Sequence, residues 1–146
     1  MSDVEINKIS LQHDIDQALA IRREVFINEQ GVDEDEELDS NDEQSTHYLL
    51  RFQDNIAGTA SVRYVDNNKA KIERVAILAQ YRGKKLGQRL MQFILEDIKH
   101  TSTVHSVHIG SQKHAIPFYK TLGFIEYSIE YMEAGIPHLD MQLIFI

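Results

Sequence analysis

Residues 75 to 89 read Val75-Ala76-Ile77-Leu78-Ala79-Gln80-Tyr81-Arg82-Gly83-Lys84-Lys85-Leu86-Gly87-Gln88-Arg89. The apolar run up to Leu78 predicts a strand, the residues around Arg82 to Gly87 a short basic loop, and the segment after that loop an amphipathic helix. A helix N-terminus offers unpaired backbone N–H groups and a partial positive charge. Gly83 and Gly87 allow close backbone approach, and Arg82, Lys84 and Lys85 add countercharge. Together these features point to a site for a phosphorylated ligand. The common phosphate motifs are absent. No Walker-type glycine is followed by Lys and Ser or Thr, and no three spaced glycines open a βαβ unit. A solvated basic turn that only caps a helix is the plainer alternative.

Composition makes this loop stand out. The chain has 146 residues, 42% of them hydrophobic, and a formal net charge of −8. That length predicts a single domain, residues 1–146, with a real core. An acidic chain argues against general nucleic-acid binding, so the basic loop is a local exception. No apolar run approaches membrane-spanning length and no signal-peptide pattern opens the chain, so neither a membrane nor an export route is expected. Cysteine is absent, which removes disulfides, thiolate metal sites and a cysteine nucleophile. A cytoplasmic protein is the default expectation.

Strands and helices alternate along the rest of the chain. Alternation predicts strands at 4–9, 46–52, 56–65 and 70–78, with turns at Gln53-Asp54-Asn55 and Asn67-Asn68. Helical spacing predicts a helix over 13–27, which Gly31 then closes off. A second helix over 87–100 presents Leu86, Leu90, Phe93, Ile94 and Ile98 as one stripe. A strand at 104–109 and a short helix at 115–122 come next, the latter with Pro117 in its first turn and Gly123 at its end. Two final strands are expected at 124–131 and 138–145. The order β-α-β-β-β-α-β-α-β-β predicts an α/β or α+β fold with a mixed, largely antiparallel central sheet and flanking helices. The crossover between the strands at 70–78 and 104–109 should be parallel, and a ligand could enter where those strands splay.

The loop Gln80-Tyr81-Arg82-Gly83-Lys84-Lys85-Leu86-Gly87, together with Ala115-Ile116-Pro117-Phe118-Tyr119-Lys120-Thr121-Leu122-Gly123-Phe124, resembles the two acetyl-CoA motifs of the GNAT superfamily of N-acetyltransferases. Element order fits that fold over nearly the whole chain. Residues 21 to 32, Ile-Arg-Arg-Glu-Val-Phe-Ile-Asn-Glu-Gln-Gly-Val, resemble a bacterial branch of mostly unassigned substrate. Two departures stand out. Lys85 sits where the family's first loop glycine is expected, exchanging freedom at positive φ for a cation. Gln112 stands near the place of an Asn that bonds the pantetheine arm, keeping the amide on a longer stem.

The resemblance implies direct transfer of an acetyl group from acetyl-CoA to an amine, without a protein acyl intermediate. The cofactor site it implies comprises the backbone of Val75, Ala76 and Ile77, the loop Arg82, Gly83, Lys84, Lys85, Leu86 and Gly87, and Gln112, Ala115, Phe118 and Tyr119. The pantetheine arm would lie along Val75 to Ile77 like an added strand. Tyr119 occupies the position of the family's general acid; packing in the core is its plainer role. Two residues compete as base. Glu73 enters the loop on its strand, where many members place a carboxylate, though Lys71 and Arg74 beside it also suit a cross-strand salt bridge. His138 follows Gly135-Ile136-Pro137, which resembles a Gly-x-Pro-His segment of small-molecule members whose His is the base, and an imidazole titrates in the useful range.

The acceptor stays open at this level. Arg22 and Arg74 match arginines that hold an anionic acceptor in that subgroup. Against this, Asp33-Glu34-Asp35-Glu36-Glu37, then Asp39, Asp42 and Glu43, would steer a cationic amine if they covered the cleft, and otherwise form a solvated loop. His47 beside Tyr48 either lines the acceptor pocket or packs. His100, His105, His108 and His114 have no metal-ligand spacing, so no metal is expected. The expected partner is a small-molecule amine, with a homodimer as a possible assembly. Two other functions remain compatible with these residues: a CoA-binding sensor that has lost turnover, which the change at Lys85 would permit, and acetylation of a protein or peptide amine. A nucleotide-binding protein lacks any motif for base or Mg²⁺.

Overall fold

Alternating side chains and one tight hairpin build the first half of the sheet. A computed structural model gives the fold and describes residues 3–37, 42–66 and 68–145. Strands β1 (Val4–Ile9), β2 (Thr46–Phe52), β3 (Asn55–Asp66) and β4 (Lys69–Ile77) pair in that order, all antiparallel. Gln53 and Asp54 link β2 to β3 with φ of 50° and 65°, the left-handed pair that matches a two-residue turn to the strand twist. Of the second expected turn, Asn67 lies outside the described residues.

The second half adds β5 (Ser106–Gln112), β6 (Ile125–Glu126), β7 (Tyr131–Glu133) and β8 (Ile136–Ile144). The sheet runs β1-β2-β3-β4-β5-β8-β6, with β7 also on β8. Among the described residues only β4 and β5 are parallel neighbours, joined through helix α3 (Leu86–Thr101). Helices α1 (Gln12–Arg22), α2 (Glu34–Glu37) and α4 (Ile116–Thr121) complete the set. No helix among the described residues is long and apolar enough to cross a membrane.

Strand periodicity divides the core between the two faces. Leu50, with Val62, Ile72, Val107 and Met141, packs with Leu90, Met91, Ile94 and Ile98 of α3. Its neighbour Leu49 points the other way, into a smaller cluster with Ala18 and Ile21 of α1, Val25 and Ala76. Met91, rather than the expected Phe93, completes the buried stripe of α3; Phe93 remains 39% exposed with its ring edge-on to Tyr48.

Two expected elements are broken in two. The helix expected over 13–27 ends as α1 at Arg22, and a wider π-helical turn occupies Arg23–Glu29. The strand expected over 124–131 is interrupted because Ser128 Oγ accepts the backbone N–H of Asp140 at 2.8 Å, a place the strand's own carbonyl would otherwise fill.

Arg22, the last residue of α1, is tied to Glu37 of α2 and to Asp42. Its side chain is 1% exposed. Nε donates to Glu37 Oε1 at 2.7 Å, Nη1 to Asp42 Oδ1 at 2.8 Å, and Nη2 to the Glu37 carbonyl at 2.9 Å. Burial works against the charge, yet the hydrogen bonds to Asp42 and Glu37 more than offset it and hold the guanidinium above its ordinary value. Breaking a buried pair strands the partner charge. Arg22→Ala should therefore lower the urea-unfolding free energy by about 3–5 kcal/mol. Arg23→Ala, which loses only an exposed pair with Glu34, should cost less than about 1 kcal/mol.

Candidate active site

The site exists because β4 and β5 part company. They pair only from Lys69↔Ser106 to Ile72↔Ile109. Beyond that, β4 stays with β3, while β5 follows β8 to Gln112. The turning point is a bulge. Thr59 faces Ala76 and Ser61 faces Glu73, so β4 carries one extra residue there, and Arg74 takes it up with φ 56°. The edge of Val75, Ala76 and Ile77 toward β5 is left unpaired by the sheet. These residues line a cavity of about 970 Å³.

At one end of the cavity lies the N-terminus of α3. No side chain caps it, and the first amide to find a helical carbonyl is Arg89 N–H, 3.2 Å from Lys85 O. The earlier amides of that turn face the loop. Lys85 adopts φ 62° and ψ 21°, so the loop keeps the left-handed conformation although a lysine replaces the expected glycine. Gly83, Lys85, Leu86 and Gly87 line the cavity.

The other two basic side chains both have partners within the protein, Arg82 while lining the cavity. Arg82 donates from Nε to the Ile77 carbonyl at 2.9 Å and grips both oxygens of Glu29 at 2.9 and 3.0 Å. Lys84 does not line the cavity. Its ammonium sits 5.8 Å from the centre of the Phe52 ring.

Across the gap, Gln112, Ala115, Phe118 and Tyr119 line the opposite wall. Tyr119 is buried between the rings of Phe118 and Phe124, and burial pushes its phenol well above the ordinary tyrosine range. Nothing among the described residues accepts a hydrogen bond from its hydroxyl, so the phenol stays protonated and available. Gln112 donates to Gln30 Oε1 at 2.8 Å and its own oxygen lies 2.7 Å from His114 Nε2. Its amide is thereby fixed at the cavity wall.

At the far end stand Glu73, Arg74 and His138. Glu73 is committed to Arg63 at 3.1 Å and Lys71 at 3.8 Å. The Nδ1 of His138 lies 2.7 Å from the Ile136 carbonyl. A carbonyl only accepts, so Nδ1 carries the proton and Nε2 keeps the lone pair in the neutral ring. Glu133 Oε2 is 3.5 Å from that Nε2, and the Tyr131 ring stacks on the imidazole.

Two expected acceptor residues are not in the cavity. Arg22 is consumed by its buried pairs with Glu37 and Asp42. His47 is buried with Nε2 2.9 Å from the Asp42 carbonyl. Both meet Asp42 instead. Arg74 does line the cavity, but its guanidinium is turned onto Glu37 Oε1 at 3.4 Å and the carbonyls of Glu36 and Glu37. Sequence reasoning missed Gln30, Tyr131 and Glu133 at this site, whereas Glu37 belongs to the acidic run. Only the segment holding Gln30 carried a signal, as part of the branch resemblance. Asp39 of the acidic run lies outside the described residues. No group of three or more His, Asp or Glu among the described residues could hold a metal ion.

A family model described as an acetyltransferase (GNAT) domain matches residues 9–145. The chain is 39% identical over 141 residues to the uncharacterized protein YyaT of Bacillus subtilis (strain 168), covering 94% of each. It is 33% identical over 125 residues to the uncharacterized N-acetyltransferase YjcF of the same organism, covering 85% of this chain and 88% of that one. Its fold superposes on the crystal structure of Escherichia coli ElaA with a TM-score of 0.85 and 28% identity, covering 98% of this chain and 99% of the other.

The left-handed lysine in the loop leads to a measurable consequence. A non-glycine residue in this conformation costs about 1–2 kcal/mol, partly offset in a glycine variant by the freer unfolded chain. Lys85→Gly should raise the melting temperature by about 1–3 °C, and the β-branched Lys85→Val should lower it by a similar amount. Differential scanning calorimetry of the three proteins checks the sign.

Proposed function

This chain belongs to the GNAT acetyltransferase family and is an N-acetyltransferase, and on that premise we propose that it moves an acetyl group from acetyl-CoA directly to the amine of a small molecule. One arrangement carries the reading: an uncapped helix N-terminus, an unpaired strand edge and a buried phenol without a hydrogen-bond partner among the described residues meet in a single cavity. The proposal takes residues 1–146 as one acetyltransferase domain acting in the cytoplasm. Direct transfer itself needs no metal.

The residues present suit acetyl-CoA. The amides of the α3 N-terminus, with Gly83, Lys85, Leu86 and Gly87, would hold the pyrophosphate. The edge of Val75 to Ile77 would bond the pantetheine amides as an added strand, flanked by Gln112, Ala115 and Phe118. Arg82 contributes charge and, through Glu29, holds the loop against the π-helical turn.

Acetyl-CoA supplies an activated acyl carbon, to which the amine nitrogen bonds as the C–S bond breaks. His138 takes the first proton of the acceptor ammonium at Nε2. Its Nδ1–H bond to Ile136 keeps the ring in that tautomer, and Glu133 offsets the charge of the resulting imidazolium. Backbone N–H groups on the β4 edge stabilise the oxyanion. Tyr119 gives its proton to the departing thiolate and recovers one from the nitrogen. Glu73 serves Arg63 and Lys71 and leaves the base role to His138.

Two experiments test this. Lys85→Glu should raise the Kd for coenzyme A about tenfold to a hundredfold, the worth of a charged contact to phosphate, whereas Lys84→Glu should change it less than about threefold. Equal effects in calorimetry would remove Lys85 from the anion site. In steady-state assays read by free thiol, Tyr119→Phe should lower kcat roughly a hundredfold with little change in coenzyme A affinity. The acidic limb of the kcat/KM profile should vanish in His138→Ala and persist in Glu73→Gln. A limb that survives both substitutions, and follows the pKa of a second acceptor, would assign proton removal to water.

A further inference from the structure

Among the described residues, the cations at the acceptor end of the cavity are all engaged, whereas two carboxylates there carry no ion pair and a third has one oxygen without a partner. Arg63 and Lys71 share Glu73. Arg74 is held by Glu37 and two backbone carbonyls. Asp35 and Glu36 also line the cavity, and neither side chain has an ion pair among the described residues. Glu37 is the sharper observation. Its side chain is 1% exposed and its Oε1 takes both Arg22 and Arg74, yet its Oε2 has no hydrogen-bond partner among the described residues.

A buried carboxylate oxygen without a donor is rare and unfavourable, and calls for a group that completes it. Glu37 lines the cavity and its Oε2 is buried behind that wall, so a ligand entering there can supply that group once the carboxylate turns toward it. An ammonium brings three N–H donors and a positive charge. Among the described residues, a carboxylate or phosphate would find no uncommitted cation at this end and would face Asp35, Glu36 and Glu37.

We propose that the acceptor is a small aliphatic diamine or polyamine, whose non-reacting ammonium seats on Glu37 Oε2 with Asp35 and Glu36 around it. This rests on the acetyltransferase reading. The reacting ammonium loses one proton to His138, its nitrogen bonds the acyl carbon, and the C–S bond breaks. The nitrogen's second proton leaves as the thiolate is protonated through Tyr119. The products are the mono-acetylated amine and free coenzyme A, with the other ammonium unchanged. The exposed carboxylates at the rim raise the local concentration of such a cation.

The test compares 1,4-diaminobutane, 1-aminobutane and 4-aminobutanoate as acceptors at saturating acetyl-CoA, read by free thiol. The expected kcat/KM for the diamine exceeds that for the monoamine by at least about tenfold, with the amino acid lowest. Glu37→Gln should lower the diamine value about tenfold, through KM, and narrow its lead over the monoamine. If that variant does not fold, Asp35→Asn/Glu36→Gln, both at exposed positions, carries the same comparison. Equal use of diamine and monoamine, preference for 4-aminobutanoate, or acetylation of a lysine peptide alone overturns the proposal while leaving the enzyme reading in place. Absence of any acetylation overturns the enzyme reading instead. The diamine site is then judged by calorimetry of 1,4-diaminobutane on the protein saturated with coenzyme A. Binding that weakens in the carboxylate variants supports it, and no binding overturns it.

Discussion

Between Glu73 and Ala76, strand β4 carries one residue more than the β3 segment it faces, and the chain absorbs it at Arg74 in a left-handed conformation. That bulge adds twist at the point where β4 and β5 stop pairing. The proposed acetyl-CoA site depends on the opening. The edge of Val75 to Ile77 is unpaired by the sheet, the loop after β4 delivers the N-terminus of α3 to one end of the gap, and β5 carries Gln112 to its far wall. Had the parallel pairing continued past Ile72↔Ile109, the cavity would be filled by an ordinary ladder. A strained residue at this position is the sort of local cost that a fold bears at a working site.

The same residue links the opening to the acidic segment. Arg74 reaches out of the bulge to Glu37, and Glu37 in turn meets Arg22 from α1. Three elements remote in the chain are joined through one buried carboxylate. A buried ion pair contributes little net stability over an apolar replacement, but removing one member is strongly destabilising. The network therefore acts as a positional constraint: it holds α2 against the cavity and keeps both arginines away from any incoming anion. Structural and chemical roles coincide here, because the contacts that secure the segment also decide the charge left facing the acceptor.

The anion end shows a different compromise. A lysine sits at a left-handed position where glycine would be strain-free, so the loop retains its shape at a conformational cost and gains a cation on the cavity wall. Arg82 and Lys84, equal in the sequence, diverge completely. One is clasped by Glu29, and the other leans on Phe52. Charge density in a basic loop thus overstates the number of side chains that face a ligand, since each long cation takes the best partner within reach.

What the sequence determined by itself was set by near neighbours. Period-two alternation, the apolar stripe of α3, the two loop glycines and Pro117 specified the element order, the parting strands, the anion loop and the place of Tyr119, because those signals act within a turn or a hairpin. Even so, Ser128 broke one expected strand by bonding Asp140, twelve residues away. What only the tertiary structure decided was the pairing of charges and amides far apart in the chain. Arg22 meets Glu37 across 15 residues, Arg82 meets Glu29 across 53, and Gln112 meets Gln30 across 82. With many carboxylates and many cations available, composition leaves every such match open. The docking of α1 and its π-helical turn on the sheet selects among them, since an ion pair forms only where the backbone has already brought its two ends within reach.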